Sequence, residues 1–348
     1  MQALVLTAPH EFEIRDVPVP EPAANEVLCR VRAIAICGTD AEIIEGGFPG
    51  RWPRAYPYIP GHEWSGEVVA AGAIAERNGF TVGTRVAGTS HSGCGLCRMC
   101  RIGRYNLCFN YGREDLGHRQ YGHYTQGAYA EYVVQTIKSV FRIPDAMAFD
   151  TAALCDTASI ALHSVRRPGI EPGDLLASVG SGGMGLLVAM CAKTLGASRV
   201  IVVGGGRRLE RARELGFETV DYHDGDPVER VREWSGGIGV DVAVDSAGSV
   251  DSVGQAIGMV RKGGRVAFTG IPKQPTQVNF QKVVLEELDL YGVRANRNTM
   301  EPVIPLMADG RIPADRLITH HFPLSEFREA LRIFNERVDG ALKVIVEP

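Results

Sequence analysis

One stretch constrains the fold of this chain more than any other. Residues 175–179 (LLASV) read as a short apolar strand that runs straight into Gly180-Ser181-Gly182-Gly183-Met184-Gly185, and an apolar helix over 184–195 follows at once. A strand, a G-x-G-x-x-G turn and a helix in immediate succession form the phosphate-cradling corner of a dinucleotide site. Gly180 makes the tight turn, and Gly182 lets the backbone approach a pyrophosphate. Gly185 lets the helix pack close to the strand, and the helix N-terminus, from Gly183 and Met184 onward, faces the anion. The surroundings agree. From about residue 150, apolar strands (200–203, 240–244, 264–269) alternate with helical runs such as 209–215. That alternation predicts a parallel, doubly wound sheet.

The first half has a different texture. Short β-like runs at 26–33, 66–71 and 129–134 are broken by glycine and proline, and residues 1–14 read as strand, turn and strand. The pattern is that of an all-β module. After about residue 291 it changes again, ending in a helix over 327–335 and a strand over 341–347. With no repeat and no linker, the closing stretch is expected to return to the β-rich part. The expected organisation is 1–153 β-rich with a cysteine lobe at about 91–110, 154–294 doubly wound, and 295–348 returning to the first part.

Cysteine usage narrows the chemistry. Cys94-x-x-Cys97-x-x-Cys100-x7-Cys108 gathers four of the eight cysteines within fifteen residues. Four thiolates at such spacing close a tetrahedral structural zinc site, with His91 a neighbour rather than a ligand. Disulfides are the alternative; the absence of a basic-then-apolar leader in 1–14 favours a reducing cytoplasm and therefore metal. The 348 residues carry a net charge of only -4 and no long apolar run, so neither nucleic acid nor membrane is expected as a partner. Two more residues suit an open metal site: Cys37, in Cys37-Gly-Thr-Asp-Ala-Glu42, and His62, in Gly61-His-Glu-Trp-Ser-Gly66. A catalytic zinc takes three protein ligands and keeps one exchangeable position.

The nucleotide site also carries a hint of cofactor choice. An NAD-specific site has an acidic side chain after the second strand; here Gly204 stands there, with Arg207 and Arg208 behind it. The missing carboxylate and two guanidinium groups favour NADP over NAD, a solvated helix start being the plainer reading of the arginines.

Taken together, Cys37-Gly-Thr-Asp, Gly61-His-Glu, the four-cysteine lobe, the Gly180 loop and the ending Ala341-Leu-Lys-Val resemble the zinc-containing medium-chain dehydrogenase/reductase family, with its alcohol, sorbitol and glucose dehydrogenase-like members, over essentially the whole chain. The resemblance implies an α/β protein: a GroES-like β-rich catalytic domain interrupted by a Rossmann doubly wound parallel sheet. It implies one catalytic and one structural zinc, and hydride transfer between a small secondary alcohol (polyol, sugar or amino sugar) and NAD(P). Cys37 and His62 would ligate the catalytic zinc, with Glu63 a direct ligand or a carboxylate behind it. The third ligand would come from Asp156, as in formaldehyde dehydrogenase-like members, with Cys155 its rival and His163 a packed residue. Thr39 would be the first proton relay. Glu42 stands where many alcohol dehydrogenases carry histidine, as in archaeal glucose dehydrogenases, and either relays a proton, binds a sugar hydroxyl or is a solvated helix residue. Asp40 would cap the helix after Cys37. From their place in the chain, Trp52, Tyr56 and Tyr58 would line a substrate pocket or, the commoner fate of such aromatics, pack under their loop; the polar and aromatic segment 110–126, with His118, Tyr121 and His123, would shape such a pocket, and Arg294 and Asn296, near the second domain junction, would contact cofactor or substrate. A dimer or tetramer is expected through sheet edges at 261–271 and 283–294. Two other readings stand beside this one: a zinc-free quinone or enoyl reductase on the same scaffold, and a nucleotide-binding protein without turnover.

Overall fold

The computed structural model describes residues 1–47 and 53–348 and divides them into two compact units. The first comprises 1–156, 296–309 and 314–348; the second comprises 157–295 and 310–313.

The second unit is built on a six-stranded sheet. Its order is Glu218–Asp221, Arg199–Gly204, Leu175–Val179, Val240–Asp245, Val260–Phe268, Asp289–Gly292, and every neighbouring pair is parallel. Numbered along the chain this is 3-2-1-4-5-6, the Rossmann order, with the glycine loop leaving the central strand. The central strands are apolar almost throughout because helices cover both faces of a parallel sheet. Ala177, Val179, Ile201, Val203, Ala243 and Val266 join Val231, Ala256 and Ile257 in one core.

The first unit centres on a seven-stranded, mostly antiparallel sheet. Its path runs Ile318–Pro323, Lys343–Glu347, Glu26–Ala35, Glu63–Ala71, Arg85–Gly88, Val140–Arg142, and Tyr132–Thr136 also pairs with Glu26–Ala35. The C-terminal strand does return, lying antiparallel to Glu26–Ala35 through Val346–Ile34 and Ile345–Ala35. Its core holds Leu4, Leu6, Ile34, Trp64, Tyr129, Phe327 and Val344. The expected strand 129–134 is shifted to Tyr132–Thr136. Tyr129 instead spends its backbone on Leu4 and Pro60 and its hydroxyl on Asp40.

Candidate active site

Register brings the site together. Ala35 pairs with Glu63, and Ile345 pairs with Ala35 from the other side. The end of one strand (leading to Cys37) therefore sits between the starts of two others (Glu63 and Lys343) at a single edge of the sheet. His62 immediately precedes Glu63, and Gly61 before it adopts φ +96, where a Cβ would lie 2.6 Å from the Tyr129 ring. Only glycine fits that turn.

Side-chain donors converge as a result. One ligand atom each from Cys37, His62 and Glu63 lies within 4.8 Å of the others. Asp40 is fully buried and takes the backbone N–H of Cys37 (2.9 Å) and the Tyr129 hydroxyl (2.9 Å) on Oδ2, while Oδ1 stands 3.2 Å from His62 Nδ1. An anion beside Nδ1 favours the proton there and would leave Nε2 to face a metal. Burial alone would raise the Asp40 carboxyl, but His62, the Cys37 N–H and the Tyr129 hydroxyl together outweigh it and the pKa is lowered. Glu63 is buried and ion-paired to buried Lys343, Nζ to Oε2 at 2.5 Å. Burial works against charge on Lys343, yet Glu63 holds its pKa up.

Asp156 opens the helix Cys155–Arg166 and is 1% exposed. Its Oδ1 accepts from Thr89 Oγ1 and, at 3.0 Å, from Asn296 Nδ2. Burial raises its carboxyl to about 6, while His62 pulls it down and Glu63 pushes it up, so the three groups share one electrostatic neighbourhood. The buried carboxylates of Asp40, Glu63 and Asp156 face buried Lys343 and His62. Thiolate, imidazole and carboxylate, as Cys37, His62 and Glu63 supply them, are ordinary zinc donors. The residues present fit the metal.

In the cysteine lobe, Cys94 and Cys100 sulfurs lie 3.9 Å apart and Cys97 and Cys108 sulfurs 3.8 Å. A disulfide would hold them at about 2.05 Å, and all the cysteines are free. A tetrahedron of metal–sulfur bonds of about 2.3 Å has edges of about 3.8 Å, so the spacing is that of four ligands around one ion. Backbone N–H groups of Leu96 and Cys97 point at the Cys94 sulfur, at 3.4 and 3.3 Å. Similar donors, from Cys100 first and Phe109, hold the Cys97 thiol down to about 6, the thiolate form a metal needs. His91 is outside the four-sulfur group and packs among the rings of Tyr111 and His118.

The glycine loop behaves as its spacing predicts. Gly180 takes φ +118, Gly182 caps the helix Gly183–Thr194, and a Cβ on Gly185 would lie 1.8 Å from the Gly180 carbonyl oxygen.

Comparison with known proteins settles the family. An alcohol dehydrogenase GroES-like domain model matches residues 23–145 and a zinc-binding dehydrogenase model matches residues 183–309. The chain is 33% identical over 353 residues to sorbitol dehydrogenase of Bacillus subtilis (strain 168), covering all of this chain and 97% of that one. It belongs to the zinc-type medium-chain dehydrogenase family. It is likewise 33% identical over 345 residues to L-threonine 3-dehydrogenase of Escherichia coli (strain K12 / DH10B), covering 98% of this chain and 97% of that one. An alcohol dehydrogenase from Thermus sp. ATN1 superposes with a TM-score of 0.90 at 29% identity, covering 100% and 99% of the two chains. A zinc-binding dehydrogenase from Sinorhizobium meliloti 1021, solved with NADP, gives 0.87 at 30% identity, covering 100% and 99%.

Within this medium-chain dehydrogenase, Thr39 and Glu42 are half-buried on the short helix Gly38–Ile44 that follows Cys37. Cys155 turns away from the donor group, its sulfur 3.8 Å from that of Met307. His163 hydrogen-bonds the Ala295 carbonyl at 2.8 Å and belongs to the second unit. Arg294 is exposed. Of the residues placed near a pocket, Tyr58 is buried and donates to the Thr125 carbonyl, Tyr56 is exposed, and Trp52 lies outside the described residues. In the 110–126 segment, Tyr121 accepts the Thr136 N–H and His118 packs with Tyr111 and Tyr124. His123 meets the donor group, its ring 4.7 Å from that of His62. Lys343, Thr89 and the orienting role of Asp40 were not read from the sequence.

Proposed function

We propose that this zinc-type dehydrogenase oxidises a secondary alcohol carrying a polar group on the neighbouring carbon (a polyol, sugar or amino sugar), with NADP as hydride acceptor. The observation that carries the reading is the buried donor group Cys37, His62 and Glu63, with Asp156 beside it, in a chain that also holds a complete glycine loop. The names sorbitol dehydrogenase and L-threonine 3-dehydrogenase share that substrate chemistry: a secondary carbinol beside a hydroxyl or an amine. Cys37, His62 and one or both of Glu63 and Asp156 would hold the catalytic zinc; the four lobe cysteines would hold a structural one. When bound, zinc supplies Lewis acidity to the alcohol oxygen and the nicotinamide takes up the hydride.

The chain's own residues do the rest. Asp40 keeps His62 in the tautomer that presents Nε2. Lys343 balances Glu63. Thr39, two residues past Cys37, is assigned the hydroxyl proton, with Glu42 as the next acceptor on the same helix. Gly204 supports NADP: a Cβ there would fall 2.3 Å from the Ser181 side chain, so an acidic residue has no room. Arg208 Nη1 lies 3.8 Å from where a Cβ on Gly182 would stand, which brings a guanidinium to the phosphate loop. Arg207 and Arg294 are assigned to the same cofactor.

The first unit is read as the catalytic domain and the second as the dinucleotide-binding domain. Four free thiols suit a reducing cytoplasm; among the described residues no helix is long and apolar enough to cross a membrane. A homo-oligomer through the strand Asp289–Gly292 is supported by its place at the sheet edge and by exposed Ile271, Phe280, Val284 and Leu285 shortly before it.

The test is reduction of NADP and NAD, run in parallel, by the zinc-replete protein against polyols, aldoses, amino sugars, L-threonine and simple alcohols. Turnover confined to substrates with the neighbouring polar group, and faster with NADP, is expected. Equal or better turnover of simple alcohols would overturn the substrate class, and preference for NAD would overturn the cofactor assignment.

A further inference from the structure

The turn that carries His62 is gripped by a second segment of the same unit, residues 120–129. Backbone N–H groups of Gly127, Tyr129 and Ala128 donate to the carbonyls of Ile59 (2.6 Å), Pro60 (3.1 Å) and Gly61 (3.0 Å) in turn. The Gln126 side-chain oxygen accepts the Ile59 N–H at 2.7 Å. Two glycines permit this closeness. A Cβ on Gly127 would lie 2.4 Å from the Pro60 and Gly61 carbonyl oxygens. One on Gly122, which takes φ +72, would lie 2.4 Å from the Gly61 oxygen and 2.9 Å from His62 Cβ. The residue after Gly122 is His123, and it is set against the His62 turn. Its Nδ1 stands 3.0 Å from the Tyr121 carbonyl, which can only accept, so Nδ1 donates and anchors the ring. The ring is buried, its centroid 4.7 Å from that of His62 and its plane tilted by 50°. The same segment carries Tyr129, whose hydroxyl donates to Asp40 Oδ2 at 2.9 Å. Both Asp40 and His123, the two neighbours that meet the His62 ring, are thus tied to it.

His62 depends on such neighbours. Rotation of an imidazole about its Cβ–Cγ bond has only a broad preference, so packing rather than the rotamer sets the plane of the ring. Asp40 meets one atom, Nδ1, at 3.2 Å, and a single contact leaves the ring able to tilt about it. From this packing we infer that His123 is a positioning residue for His62: its ring, set by the 120–129 segment, holds the His62 imidazole in the plane that presents Nε2 to a metal ion. The inference rests on the reading of Cys37, His62 and Glu63 as a zinc site. The role belongs to the body of the His123 ring, and its hydrogen bond to Tyr121 serves only to anchor it.

The test is release of zinc from the purified full-length protein to a chromogenic chelator. The Cys37–His62 phase is identified as the one missing in His62→Ala, and the lobe phase as the one missing in Cys97→Ser. His123→Asn keeps an amide N–H about where Nδ1 stands and deletes the rest of the ring. It should speed the Cys37–His62 phase by about 10-fold, the lower end of what loss of a group that orients a metal ligand costs, and leave the lobe phase at the wild-type rate. His123→Phe restores a ring without the nitrogens and should return the Cys37–His62 phase to the wild-type rate. Should His123→Asn fail to fold, His123→Ala, which adds no buried polar atom, replaces it with the same expectation. Wild-type release in the variant without the ring overturns the positioning role. So does release from His123→Phe as fast as from His123→Asn, or equal speeding of both phases, the mark of a fold loosened throughout. A wild-type protein with no phase that His62→Ala removes overturns the zinc reading instead, and the inference falls with it.

Discussion

At the scale of single residues, buried charges are held by specific partners, and those partners predict what substitutions do. Asp40 stands 3.2 Å from His62 Nδ1. Asparagine in its place would present an N–H to that N–H, or leave it without its anionic partner. Asp40→Asn should therefore release the lock on the His62 tautomer and lower zinc affinity at the Cys37–His62 site by about 10- to 100-fold, read as zinc content after dialysis against a graded chelator. Retention equal to wild type would remove Asp40 from the site's design. Lys343 and Glu63 form a buried pair at 2.5 Å. Lys343→Met strands the carboxylate and should cost about 3–5 kcal/mol in denaturant unfolding of the metal-free protein, because an unpaired buried charge has lost its counter-ion. Adding Glu63→Gln should recover most of that loss.

Elements explain how the sites are held and why only part of them was legible. The glycine loop was readable because one strand, one turn and one helix lie consecutively in the sequence, and because a strand covered on both faces reads as an apolar run. The cysteine lobe was readable for a similar reason, since all its sulfurs lie within one loop. Glu63 and Lys343 are 280 residues apart, and Asp156 and Asn296 are 140 apart. Antiparallel register in one case, and the return of the chain to the first unit in the other, bring these partners together; neither leaves a local pattern. The boundary of the third strand group failed locally, since Tyr129 looked like a strand residue but is spent on Asp40 and the Gly61 turn. Gly185→Ala tests the loop. With a Cβ 1.8 Å from the Gly180 carbonyl oxygen, the strand–helix corner must open. Nucleotide binding by calorimetry should be lost while zinc content stays at wild type. Binding of NADP at wild-type affinity would contradict the loop's assignment.

At the scale of the whole molecule, one chain carries a six-stranded parallel sheet and a seven-stranded, mostly antiparallel one, each with its own core. The edge strand Asp289–Gly292 and exposed Phe280, Val284 and Leu285 make assembly through the second unit the expected state. Leu285→Glu should shift the species seen by light scattering toward the monomer; an unchanged mass would place the interface elsewhere. The central claim is that Cys37 and His62 hold the metal that does the chemistry. The measurement that tests it most directly is turnover of His62→Ala beside wild type, on a substrate the wild type oxidises, with zinc content determined on the same samples. Losing several kcal/mol of charge stabilisation should lower kcat/KM on the order of a thousand-fold or more, with one zinc per chain remaining in the lobe. Wild-type turnover in that variant would contradict the account.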